Sequence, residues 1–204
     1  MSIMTTLPKE KINTPIAQSD SYMSLEDFLR LYADIEDGYK YEWNNGQIEK
    51  TKSMNQEQGT IQDILMRLFC KTKTFQDGGL YLAETDMKTS ATQLRRPDLA
   101  IYLAHQRDKI AKGENQIAAW IGEIISDSDN ANKINEKVAE YFKAGVQVVW
   151  NIYPASNQIF VYTAVDEVTI CQGERICSGQ PALDDFEISV AALFAYKEKA
   201  SIVE

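Results

Sequence analysis

Two carboxylates and an amine follow one another in an order that can do metal-assisted chemistry. Arg96-Pro97-Asp98 heads a strand-like run, and Gly122-Glu123-Ile124-Ile125-Ser126 ends a second. Lys137 then falls on a helical segment that also carries Tyr141 and stops at Gly145-Val146, before a strand reaching Trp150. Acidic side chains at the ends of neighbouring strands can hold a divalent cation, and a nearby ammonium can stabilise charge on a phosphate. Asp98 and Glu123 are therefore the candidate ligands for Mg²⁺, with Mn²⁺ as the alternative. Lys137 is the candidate for orienting an attacking water or stabilising the transition state, and a backbone carbonyl near Ile124 is placed to complete the metal shell. The chemistry such a set performs is hydrolysis of a phosphodiester.

Each residue also has a plainer reading. Arg-Pro-Asp alone is a common strand entry with a loop salt bridge. Lys137 alone could be a helix lysine paired with Glu123 or Glu140. Glu123 is harder to dismiss, because a carboxylate in an otherwise apolar strand is costly unless paired, hydrogen-bonded or metal-bound. An Asp127-Asp129-Lys133 calcium loop is excluded by Asn132 at the sixth position and Val138 at the twelfth. His105 is expected in an exposed loop, and Tyr141 and Trp150 in the core.

The elements that must position these side chains can be read from periodicity. Leu25, Phe28, Leu29 and Tyr32 share one face of a helix over 24–33 capped by Ser24. Strands over 39–43 and 47–51 flank Asn44-Asn45-Gly46, a tight hairpin turn, which sets Glu42 and Glu49 on strands, with Glu49 expected to face solvent. Ile61, Ile64, Leu65, Leu68 and Phe69 predict an amphipathic helix from Gln56 to about Lys73. Strands are expected over 80–84, 98–103 and 118–126, the last two apolar enough to be buried on both faces. Ser128, Asp129 and Asn130 offer caps for a helix through Ala144, with Gly145 ending it. Its stripe is Ile134, Val138, Tyr141 and Phe142, and Lys137 lies on the edge. Strands over 146–152 and 158–163, a further pair over 167–171 and 175–178, and a closing helix over 189–199 complete the reading.

The chain has 204 residues, of which 44% are apolar and 25% charged, enough for one domain with a full core. Residues 1–20 are polar and proline-punctuated and read as a flexible N-terminal arm before a single domain over 21–204. No continuous apolar run of secretory-signal type is found, and the most apolar windows fall well short of the roughly 20 residues that span a bilayer, so no membrane partner is expected. Cys70, Cys171 and Cys177 form no CxxC pair and His105 is the only histidine, which argues against zinc and disulfides and for a reducing cytoplasm. The net charge of −9 opposes a polyanionic partner. Lys88, Arg95 and Arg96 near Asp98, and Lys133, Lys137 and Lys143 after Glu123, are expected to form a local basic rim that offsets it.

In the combination Tyr41-Glu42-Trp43-Asn44-Asn45-Gly46-Gln47-Ile48-Glu49, Arg96-Pro97-Asp98, Gly122-Glu123-Ile124-Ile125-Ser126, Lys137, Tyr141, Gly145-Val146, Trp150, Pro154 and Phe186 to Phe194, the chain resembles the Uma-type restriction endonucleases of the PD-(D/E)XK nuclease superfamily. The resemblance spans roughly Ser24 to Phe194. It implies an α/β (α+β) fold, a restriction-endonuclease-like mixed β-sheet core flanked by helices. It also implies Asp98 and Glu123 as metal ligands, Lys137 as a lysine displaced from the strand onto a helix, and Glu42 as the acidic residue of the first hairpin. Where that family often has histidine early in the second helix this chain has Gln58, and where it has proline after the serine this chain has Asp127. The activity implied is metal-dependent cleavage of DNA, with a homodimer suited to cutting two strands. The alternative is a non-catalytic nuclease-like domain that binds nucleic acid or protein.

Overall fold

A computed structural model of the chain describes residues 22–127 and 129–197. The expected arm over residues 1–20, the candidate cap Ser128 and the last residues of the expected closing helix lie outside the described residues.

The chain opens with α1 (Leu25–Tyr32), capped by Ser24, which accepts from the Asp27 amide. The hairpin β1 (Tyr39–Asn44) and β2 (Gln47–Lys52) turns through Asn45 and Gly46, both at positive φ as a two-residue turn of matching twist requires. Helix α2 (Gln56–Phe69) begins with a reciprocal capping box between Asn55 and Gln58 and ends four residues short of the position its pattern predicts, where Thr72 caps the short α3 (Lys73–Gln76). Strands β3 (Leu80–Ala83), β4 (Met87–Ser90), β5 (Gln93–Arg95) and β6 (Leu99–Tyr102) follow. The short pair β4 and β5 is too brief to leave a periodic signal. After α4 (Arg107–Ala111) come β7 (Trp120–Ile124), α5 (Ala131–Ala144) and β8 (Val148–Tyr153). Asn130 caps α5, and Gly145 at φ 111° terminates it. The chain continues through β9 (Gln158–Ala164), β10 (Glu167–Cys171), β11 (Ile176–Ser178), β12 (Glu187–Ser189) and α6 (Val190–Phe194).

Six strands form the central sheet in the order β10-β9-β8-β7-β6-β3, in which β7 and β8 run parallel and the other neighbours antiparallel. A second sheet, β2-β1-β5-β4, lies beside it, and β11 pairs with β12. The further pair of strands expected over 167–171 and 175–178 forms as β10 and β11, with separate partners: β10 extends the central sheet while β11 takes β12.

Alternation along β7 divides its side chains between two cores. Trp120 and Ile124 join α2, α6, Trp150 and Phe186 on one face, whereas Ile121 meets α5 through Val138 and Tyr141 on the other. Gly122 permits the first packing, since a Cβ there would lie 2.7 Å from the Trp120 ring. Glu123 shares the Ile121 face and so points at α5.

Candidate active site

Asp98, Glu123, Lys137 and Glu42 converge in one buried cluster between the central sheet, the second sheet and α5. Asp98 immediately precedes β6, whose partner is β7. Its Oδ2 accepts the Ile124 amide at 2.7 Å, and its Oδ1 accepts Lys40 Nζ at 2.5 Å. Glu123 Oε1 accepts the Tyr141 hydroxyl at 2.5 Å and Lys137 Nζ at 3.3 Å. The same lysine donates to Glu42 Oε1 at 2.9 Å, and that oxygen also takes the Arg96 amide at 3.0 Å. One helix lysine thus bridges Glu42 and Glu123, while one hairpin lysine pairs with Asp98 and its charge acts on the other two carboxylates.

A layer behind this holds Glu42 in place. Arg95, 2% exposed, donates to Glu140 through Nε and NH2, and to Glu42 and Glu49 through NH1. Glu140 in turn accepts Gln93 at 2.7 Å and the Thr89 hydroxyl. Two expectations are corrected by this arrangement. Glu49 does not simply face solvent but is drawn to Arg95 at 2.5 Å, because Arg95 lies on β5, which sits next to β1. Arg95 is not part of a basic rim: its charge is consumed by buried carboxylates, and Arg96 is engaged by Asp86 at 2.7 Å.

The electrostatics follow from burial and these partners. Burial opposes ionisation of Glu42, yet Lys137, Lys40 and Arg95 together outweigh it and lower its pKa to about 2. Glu123 moves the other way. Burial raises it above the usual carboxylate range, and Asp98 and Glu42 add to the rise against the pull of Lys137 and Lys40. Burial disfavours the charged forms of Lys40 and Lys137, but their carboxylate neighbours reverse this and hold both ammonium groups protonated. Burial, with Glu123 beside it, pushes the Tyr141 phenol far up, so it remains a donor.

Lys40 and the Tyr141 hydroxyl are members of the cluster that spacing does not reveal. The sign that was available is the alternation on β1, which sets Lys40 and Glu42 on one face of the hairpin. Gln58, read as a polar residue at a helix start, also reaches the central sheet, where its Nε2 donates to the Ile124 carbonyl at 3.1 Å. His105 and Trp150 lie as expected, exposed and buried respectively.

The donor set fits a hard divalent cation. Glu42, Glu49, Asp98, Glu123 and Glu140 meet Lys40, Arg95 and Lys137, so five carboxylates less three inner cations leave two negative charges when all are ionised. The exposed Lys133 reaches only Glu49, at 3.4 Å. Among the described residues no group of three or more His, Cys, Asp or Glu is placed to hold a metal ion. Mg²⁺ does not need such a group, because it binds through one or two carboxylates and keeps several waters.

A mixed sheet flanked by helices, with an acidic strand end on each of two neighbouring strands, defines a restriction-endonuclease-like fold. The chain belongs to the Uma2 family, described as putative restriction endonuclease, whose model matches residues 25–191. Among solved structures it is similar to a putative nuclease from Anabaena variabilis, with a TM-score of 0.73 and 19% identity over 85% of this chain and 98% of that one. No curated relative matches the chain. Among the described residues no helix is long and apolar enough to cross a membrane.

Proposed function

We propose that this protein is a Mg²⁺-dependent DNA endonuclease of the cytoplasm, with Mn²⁺ as an alternative metal. The observation that supports it is the union of Asp98, Glu123 and Lys137, far apart in sequence, in one buried cluster with an excess of carboxylates. Asp98 and Glu123 would hold the metal, whose chemistry is to lower the pKa of a bound water and to offset charge on the scissile phosphate. Lys137, held charged between Glu42 and Glu123, orients the attacking water and meets the negative charge that grows on the phosphate. Tyr141 fixes the rotamer of Glu123, and Glu42 keeps Lys137 aimed at it. Cutting both strands calls for two such sites and hence two chains.

Supercoiled plasmid and single-stranded DNA, incubated with Mg²⁺, Mn²⁺ or EDTA, test the reading. Cleavage by the wild type that needs metal and disappears in Asp98→Ala and Lys137→Ala is the expected result. Cleavage that persists in Asp98→Ala would refute the site.

Two observations favour a second reading, a nuclease-like domain that binds without cutting. Lys40 already neutralises Asp98 at 2.5 Å, and Gln58 already occupies the Ile124 carbonyl. Calorimetric titration with Mn²⁺ separates the two: the nuclease binds it and loses affinity in Asp98→Ala and Glu123→Ala, whereas the non-catalytic domain shows no difference among the three.

A further inference from the structure

On the α5 face of the central sheet, beyond the C-terminal ends of β7 and β8, lies a cavity of about 460 Å³. That is within the range of roughly 300–1,000 Å³ typical of small-molecule sites. β7 and β8 are the parallel pair, and α5 makes the crossover between them. Open α/β sheets place ligands outside the carboxyl ends of strands connected in this way.

The walls have a definite chemistry. Tyr153, Phe160 and Tyr162 form one side, Ile134 and Asn135 of α5 the other, and Ile125 closes the end nearest Glu123. The Tyr153 and Phe160 rings are 4.7 Å apart at 49°. At the foot of this aromatic wall, directly paired with Phe160, is Asn151, which is 1% exposed. Its Nδ2 is buried and makes no hydrogen bond of normal geometry, although it lies near enough to the Tyr153 and Tyr162 phenols to favour their ionised forms. Burial outweighs that influence and keeps both phenols protonated as donors. Asp127 and Asp129 stand at the rim.

We infer that this cavity receives one unstacked nucleobase of the nucleic-acid strand, with Phe160 and Tyr153 as its stacking surface and Asn135 at its edge. The inference rests on the nuclease reading, because Ile125 is two residues from Glu123 and α5 lines both places, so a strand held at one site passes the other.

Fluorescence anisotropy in EDTA, where metal-dependent cleavage does not intervene, tests it with two labelled strands of equal length. One is a single-stranded oligodeoxynucleotide and the other a tetrahydrofuran-spacer strand that keeps the phosphates and lacks the bases. The strand with bases is expected to bind on the order of 10- to 100-fold more tightly, as stacking of a base on an aromatic side chain provides. Phe160→Ala should abolish that preference without weakening the spacer strand. Ala155→Trp, at the exposed rim where it fills the mouth without touching the core, should do the same. Equal affinity for the two strands, or a preference that survives both substitutions, overturns the inference and leaves the plasmid result untouched. If neither strand binds, the inference falls whatever the plasmid assay gives.

Discussion

Arg95 donates five hydrogen bonds to three carboxylates while almost wholly buried, so Arg95→Met isolates the electrostatic frame of the site. Methionine keeps much of the volume and removes the charge, leaving Glu42, Glu49 and Glu140 without their shared cation. Breaking a buried ion pair by removing one partner costs about 3–5 kcal/mol, a large part of the roughly 5–15 kcal/mol that holds a domain folded. For a chain of this length that corresponds to a fall in Tm of about 6–20 °C. The pH dependence has a definite sign. Glu42 has its folded pKa depressed to about 2, so it contributes stability above its unfolded value, and that contribution is lost as pH falls toward 2. Arg95→Met lets the Glu42 pKa rise, so the difference from wild type is fully developed at pH 7 and shrinks as pH falls through about 4.5. Urea titrations of both proteins by circular dichroism at pH 7 and pH 4 measure it. A difference below about 1 kcal/mol at pH 7, or one equal at the two pH values, would refute the reasoning. Arg95→Lys should recover little, because an ammonium cannot bridge Glu140 and Glu42 in the guanidinium's fork geometry.

Lys137→Met should lower kcat for DNA cleavage by about 100- to 1,000-fold, as loss of one transition-state stabiliser does, with little change in Mn²⁺ affinity. Burial, with Asp98 and Glu42, raises Glu123 against the pull of Lys137 and Lys40, so a cation competes with a proton there; apparent Mn²⁺ affinity is expected to increase with pH, and Glu123→Gln should flatten that profile by isothermal titration. Gly122→Ala brings a methyl to 2.7 Å from the Trp120 ring, which packs edge-on against Trp150 and Phe186, and should cost about 1–3 kcal/mol in thermal or urea unfolding.

Much of the frame was legible along the chain. The alternation around Asn45-Gly46, the stripe of α2 and the cap and stop of α5 each depend on neighbours within a few residues, and each stands close to where its pattern sets it. Asp98 and Glu123 could be singled out because carboxylates head or interrupt runs that otherwise read as core, Lys137 because it edges the helical stripe, and Glu42 through the family resemblance of the first hairpin. Lys40, Arg95 and Glu140 could not, since their meaning depends on β1 lying next to β5 and on α5 crossing above both. That adjacency joins residues 45 or more apart in sequence through the order of strands in a sheet. The partners that β10 and β11 take have the same origin: two short strands near in sequence were free to pair elsewhere in the fold.

The hydrogen bond from the Ile124 amide to Asp98 ties one acidic side chain to the backbone beside the other. Asp98 heads β6 and Glu123 lies on β7, so both carboxylates are mounted on one antiparallel strand pair. A pair mounted so stiffly has little room to dilate. Ca²⁺ asks for six to eight oxygens at about 2.3–2.6 Å, whereas Mg²⁺ asks for few protein oxygens at about 2.0–2.1 Å. In the proposed nuclease, a ladder this stiff would act as a gauge of ionic radius and favour the smaller ion.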